Sequence, residues 1–274
     1  MKYHLISDSC CDLTEDTQSS NGISIVPLSI TIDENLYMDD GSLNIPQFLF
    51  DMRHARKMTS GAPSPGAYLG KLQKDAVNFI VTLSSRLSGS FTSAVTAMNI
   101  AQEEAIDVHV FDSLSATAGQ MLVVRKLQKL IRQGLEKPKI ISKVEAYIQG
   151  VQTIYAAQDL SNLIKNGRLG KVTGKLLSVL GIRPILASNG DGELTLKTHA
   201  RGDRQTLSSL LNLVTRSKTD RQGELIITHC NNPELAERLR EKLEQTFDFT
   251  EIIVAHTRGL SSMYANDRGL VIAF

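Results

Sequence analysis

The sequence predicts an α/β protein of two domains, with a largely parallel sheet in the first, a mixed sheet in the second, and helices layered on each. Three observations carry this. Short apolar stretches alternate with amphipathic segments of helical period, the pattern left by packed layers of strands and helices. At 274 residues the chain sits near the size at which a single core splits. Asn189-Gly190-Asp191-Gly192 separates two strand-like runs. It reads as a hairpin turn and puts an antiparallel pair in the second half. A break is expected at Gly134–Pro138 or after the helix that follows, near Gly150. Placed at 150, it gives domains over residues 1–150 and 151–274.

The strands are expected at Lys2–Ser7, Ile23–Ile32, Phe79–Leu83, Val108–Asp112, Gln152–Ala156, Arg183–Ala187, Glu193–Thr198, Leu225–His229, Ile252–His256 and Leu270–Phe274. Each is a short run rich in β-branched residues between turn formers. Helices fall between them. Gly119–Arg132 spaces Leu122, Val123, Leu127, Leu130 and Ile131 three and four apart. Pro233–Phe247 opens on Asn-Asn-Pro, a cap with proline in the first turn, and stacks Leu235, Ala236, Leu239 and Leu243 on one face. Ala94–Ala105, the segment from Ser64-Pro65 to Leu72, and Leu160–Lys165 complete the reading.

Thirty Lys and Arg stand against 29 Asp and Glu, a net charge of +1, and aromatic residues make up 5% with no Trp. That balance argues against a dedicated nucleic-acid binder, which carries a basic excess and stacking rings. The longest unbroken apolar run, Leu270–Phe274, is far below the ~20 residues of a membrane span. Three cysteines, two of them adjacent, fit a reducing compartment, and the N-terminus reaches Ser7 and Asp8 too soon for a signal-peptide core. A cytoplasmic protein without structural disulfides is expected.

Phosphate loops, dinucleotide fingerprints, zinc-peptidase motifs and nucleophile elbows are missing from the sequence. The chemistry lies in polar loops at strand ends. Ser84-Ser85-Arg86-Leu87-Ser88-Gly89-Ser90 joins a strand to a helix, where free N–H groups and Gly89 suit an anion. Helix capping by a hydroxyl is the alternative. Thr59 and Ser60 lie upstream of the Ser64-Pro65 cap, so capping does not account for them. Asp8 and Asp12, around Ser9-Cys10-Cys11, are read first as acceptors for backbone N–H groups, and as metal or acid–base groups second. Asp112 repeats the pattern. Gly167 suits a left-handed cap that lets Arg168 project toward a carboxylate or phosphate. His256, at a strand end before Thr257-Arg258-Gly259, is the histidine best placed for function.

Taken in order, these loops resemble the DegV family of fatty-acid-binding proteins along essentially the whole chain. Asp8–Leu13 is similar to the family's D-S-T-x-D-L opening and Thr59–Pro65 to T-S-Q-P-S-P. Ser84–Ser90 resembles S-S-x-L-S-G-T, and Val110–Ser113 with Gly119 resembles V-x-D-S…G. Leu163–Arg168 is similar to L-x-x-G-G-R, Arg183–Leu186 to K-P-I-L, and His256-Thr257 to H-T-G-P. Here Gly61-Ala62 replaces the Gln of the second motif, Cys10 replaces a Thr of the first, and Arg258 follows the late His-Thr.

The resemblance implies a DegV-like architecture with one long-chain fatty acid between the domains and no cofactor, metal or catalytic residue. Thr59, Ser60, Ser88, Gly89 and Ser90 would hold the carboxylate, with Arg168 and His256 completing the polar network. It also implies a separate ATP-binding kinase subunit that phosphorylates the bound carboxylate for phospholipid synthesis, so the chain would be a lipid-binding protein and not an enzyme. Two rivals stand beside it. One is a stand-alone hydrolase or phosphotransferase using a loop serine and His256, oriented by Asp8 or Asp112. The other is a binder of a different amphipathic carboxylate.

Overall fold

The computed structural model describes residues 2–13, 22–169, 181–217 and 222–274. β1 (Tyr3–Asp8) runs into a 3-10 turn (Ser9–Cys11), then β2 (Ile23–Val26), β3 (Ser29–Ile32), β4 (Asn35–Met38), α1 (Ile45–His54), β5 (Met58–Gly61) and α2 (Pro65–Leu69). β6 (Val77–Thr82), α3 (Ser90–Glu103), β7 (Val108–Asp112), α4 (Ala118–Arg132) and α5 (Lys137–Gly150) follow. The later elements are β8 (Thr153–Ala156), α6 (Ser161–Lys165), β9 (Ile182–Ser188), β10 (Leu194–Arg201), α7 (Gly202–Arg216) and β11 (Glu224–His229). α8 (Pro233–Thr246), β12 (Glu251–His256), α9 (Gly259–Ala265) and β13 (Leu270–Ala273) end the chain.

The strands form three sheets. β2-β1-β6-β7 is parallel throughout, as expected of the first half. β10-β9-β8-β13-β11-β12 is mixed, because only β11 and β12 run parallel. The changeover falls between α5 and β8. The 189–192 turn joins β9 to β10 as an antiparallel hairpin. The third sheet, β4-β3-β5, is antiparallel, and its existence corrects two sequence expectations. Ile23–Ile32 is not one strand: Pro27, which has no N–H to give a ladder, divides it between two sheets. Thr59 and Ser60 are not in a loop but on β5, paired with Thr31 and Ile30. α3 begins at Ser90, earlier than its apolar spacing suggested, so Ser90 belongs to its first turn.

Helix α4 lies between the two large sheets. Residues Ala118–Val124 are all buried, as are Leu127 and Leu130, so its first half is surrounded and not merely seated on one layer. It packs against β1, β6, β11 and β13. Around it one core joins Leu5, Phe79 and Phe111 of the first half to Tyr155, Leu186, Ile226 and Val271 of the second. A separate core under the small sheet gathers Leu28, Ile30, Phe48, Leu83, Leu260 and Met263. Among the described residues, no helix is long and apolar enough to cross a membrane.

Candidate functional site

Where the three sheets converge lies a cavity of about 100 Å³. Its apolar wall comes from Leu28, Leu83, Leu87, Leu114, Leu163, Leu194, Leu260 and Val271, with the ring of Tyr155.

Polar groups also line the cavity, among them Ser115, Thr153, Ser261 and Glu193, and four others are linked. Ser60, on β5, lines the cavity and shares a hydrogen bond of 2.8 Å with the hydroxyl of Tyr264 on α9. Ser88 and Gly89 line it from the loop after β6. Gly89 is the N-cap of α3 and gives it no side-chain hydrogen bond. The Ser88 hydroxyl instead accepts from the Ser90 N–H at 3.2 Å. Arg168 reaches the cavity because α6 ends as the sequence suggests. Gly167 adopts φ +71°, its N–H donates to Ile164 O at 3.0 Å, and the Arg168 N–H donates to Leu163 O at 2.8 Å, the two bonds of a left-handed helix cap. The guanidinium then donates through Nε to Leu87 O at 3.1 Å and through Nη1 to Asn166 O. Contacts therefore run from Ser88 through its neighbour Leu87 to Arg168, and Arg168 in turn lies close enough to Tyr264 to act on its phenol electrostatically. Burial pushes the Tyr264 phenol up, so it is a neutral donor.

Thr59, Ser90 and His256 lie outside the lining. Thr59 alternates with Ser60 along β5, and successive strand side chains take opposite faces. The Ser90 hydroxyl donates to Asp8 at 2.6 Å and meets the Tyr68 hydroxyl at 2.6 Å. His256 is exposed at the end of β12, its ring centroid 4.3 Å from that of His229. Burial pushes His229 down to about 4, with His256 adding to the shift. Among the described residues His256 has no hydrogen bond to a loop hydroxyl. Among the described residues, the serine–histidine pair that a hydrolase needs is therefore not assembled.

The aspartates act on the backbone. Asp12 accepts from the Arg258 N–H at 2.8 Å, and Asp112 accepts from the Leu114 N–H at 3.0 Å and from that of Ser85. Asp39 accepts from the N–H groups of Gly259 and Leu260 at 2.8 and 3.1 Å, fixing the start of α9. Burial pushes the Cys10 thiol well above its ordinary range, so the cysteine in the wall is an inert thiol. No group of three or more metal-ligating side chains occurs among the described residues.

The model of a family described as "Uncharacterised protein, DegV family" matches residues 2–272. The chain belongs to the DegV family. A DegV domain-containing protein of Streptococcus pyogenes serotype M1 is 34% identical over 280 residues, covering 100% of this chain and 99% of its own. A DegV-family crystal structure from Ruminococcus gnavus, refined with vaccenic acid, superposes with a TM-score of 0.94 at 32% identity, covering 99% of both chains. The fatty acid kinase (Fak) B3 protein of Streptococcus pneumoniae, solved loaded with linoleic acid, gives a TM-score of 0.92 at 31% identity, covering 100% of this chain and 99% of that one.

In this DegV chain Ser60, Ser88, Gly89 and Arg168 line one cavity together with residues that no motif marks. Tyr264 sits in a short helical run with no motif to mark it. The hairpin residues Ser188, Gly192, Glu193 and Leu194 line the cavity from the second half, although the hairpin was legible only as a turn.

Proposed function

We propose that the protein binds one long-chain fatty acid, with the acyl chain in the apolar cavity and the carboxylate among Ser60, Ser88, Gly89, Arg168 and Tyr264. The observation that carries this reading is the make-up of the cavity: a leucine-rich wall that also carries linked hydroxyls, an exposed glycine turn and one guanidinium. Fatty acids in the similar solved proteins support it. A guanidinium and hydroxyl donors stabilise a partly desolvated carboxylate. The tail supplies affinity at about 0.8 kcal/mol per buried CH₂. Four extra methylenes would add roughly 3 kcal/mol before ordering costs.

The reading extends to a partner. Gly89 and the adjoining Ser85 and Arg86 are exposed, which leaves the head-group end approachable. A separate ATP-binding kinase subunit would transfer the γ-phosphoryl group to a carboxylate oxygen, giving acyl phosphate and ADP for phospholipid synthesis. The kinase name of the S. pneumoniae protein supports this, as does the lack of a phosphate loop in the sequence. The test is native mass spectrometry of protein purified from cells, followed by thermal unfolding with added palmitate. A co-purifying fatty acid and a raised Tm are expected. Protein that carries no lipid and gains nothing from palmitate would remove the reading.

A further inference from the structure

Behind the cavity lies a carboxylate that does not itself line it, yet fastens several of the pieces that form its wall. Asp8 is fully buried at the end of β1. Its Oδ2 accepts from the Leu83 N–H at 2.9 Å and from the Ser90 hydroxyl at 2.6 Å. Those two residues bracket the segment that presents Ser88 and Gly89. Its Oδ1 accepts from the Cys10 N–H at 3.2 Å and from the Gln120 amide at 2.8 Å. Cys10 is in the cavity wall, and Gln120 is on α4. Tyr68 closes the network through Ser90.

We propose that Asp8 is the positioning residue of the head-group site: in its ionised form one carboxylate holds both ends of the Leu83–Ser90 segment and ties them to α4. The proposal rests on the reading of that site as a carboxylate site and deepens it. All four groups around Asp8 donate, so the ionised form satisfies each of them. A proton on Oδ2 would face an N–H that cannot accept, and would force the Ser90 hydroxyl to turn away from its present bond.

Asp8 has no cationic partner among the described residues, and burial pushes it up to about 6 despite the four donors. The titratable groups facing it from the 3-10 turn and from α2 are the Cys10 and Cys11 thiols and the Tyr68 phenol. All three are raised by burial, Cys11 to about 12, and stay neutral. Asp12, raised to about 8 by burial, is also protonated over most of the range. Ser90 and Gln120, from α3 and α4, do not titrate. Of these groups Asp8 alone changes charge between pH 5 and 7.

The test compares palmitate affinity of the wild-type protein and Asp8→Asn from pH 5 to 8. The substitution keeps the size of the side chain but turns an NH₂ toward donors. The ratio of the two Kd values cancels the titration of palmitate itself. We expect Asp8→Asn to bind roughly tenfold more weakly at pH 7.5 and about equally at pH 5, the ratio rising through about pH 6. Ser90→Ala, which removes one donor to the carboxylate, should move the wild-type transition to higher pH and serves if Asp8→Asn does not fold. A flat ratio, or a Ser90→Ala transition unmoved from wild type, overturns the role of Asp8. Absence of palmitate binding by the wild-type protein would instead overturn the fatty-acid reading.

Discussion

Ser84 Oγ donates to the Gly192 carbonyl at 2.8 Å and so joins the loop that carries Ser88 to the β9–β10 hairpin. The bond spans 108 residues of sequence and links the parallel sheet to the mixed one at the rim of the cavity. Gly192 has φ +85°, and a Cβ there would stand 2.3 Å from the Ser84 hydroxyl. Gly192→Ala therefore meets both a backbone conformation foreign to L side chains and a steric clash. It should cost about 1–3 kcal/mol in thermal unfolding and speed palmitate dissociation in stopped-flow displacement. An unchanged Tm would show that the hairpin moves aside freely.

Arg168 offers a sharper test of the head group. Its bond to Leu87 O is structural, whereas a bond to the ligand would depend on the ligand's charge. Arg168→Ala should weaken palmitate binding by roughly tenfold to a hundredfold, the range of 1.5–3 kcal/mol for a hydrogen bond to a charged group. Hexadecanol, which has no carboxylate, should lose far less. Equal losses for the two ligands would assign Arg168 to the scaffold alone.

Chain-length selection should respond to the wall. Ala116 lines the cavity and is only partly buried. Ala116→Leu places three further carbons on the cavity wall. Each methylene it displaces should cost a long acid about 0.8 kcal/mol. Calorimetric titration with acids of 12 to 18 carbons, roughly spanning 5 kcal/mol of burial, should show the penalty growing with length. A uniform penalty would place Ala116 away from the acyl chain.

Part of this site is legible because it is local. The Gly167 cap, the Ser64 cap, whose hydroxyl accepts from the Ala67 N–H at 3.3 Å, and the 189–192 hairpin are each set by residues a few positions apart. Asn232 shows the limit: its side chain makes no cap and donates instead to Arg268 O, 36 residues away. Thr59 and Ser60 carry the same kind of hydroxyl, and only the pairing of β5 with β3 decides which one faces the cavity. Ser90 carries the same hydroxyl as Ser88, and its bonds to Asp8, 82 residues away, and to Tyr68 hold it behind the wall. Tyr264 gains its place from Ser60, which no spacing rule connects to it.

Two buried aspartates make stability fall as the pH rises. Burial lifts Asp12 from 3.8 to about 8 and Asp8 from 3.8 to about 6. Above pH 4 the unfolded chain loses protons that the folded chain keeps. Their contribution is therefore complete below pH 4, and is lost as the pH climbs to about 6 for Asp8 and about 8 for Asp12. One such group changes stability by up to ~1.4 kcal/mol per pH unit inside its window. Asp12→Asn keeps an acceptor for the Arg258 N–H. Its urea-unfolding free energy should lose the decline between pH 6 and 8 that the wild type shows. Parallel curves would mean that Asp12 is ionised in the folded protein.

An opposite dependence is expected from the ion cluster that fastens α4 to the second sheet. Glu224, at the start of β11, accepts from Arg125 at 2.6 Å and from Lys129 at 2.8 Å, and Arg125 also reaches Glu251 at 2.9 Å. Burial alone would raise Glu224, but the bonds from Arg125 and Lys129 outweigh it and bring the carboxyl down to about 2. Its stabilisation is present above the ordinary glutamate value of 4.5 and is lost as the pH falls toward 2. Arg125 and Lys129 keep part of their hydration, and Glu251 remains beside Arg125. Glu224→Gln should therefore cost only about 1–2 kcal/mol at pH 7. The difference between variant and wild type should shrink as the pH drops from 4.5 to 2.5 in denaturant titrations. A difference that holds constant across that range would show that the cluster contributes packing and not charge. A difference that grows would show that the cations are the members harmed by the pairing.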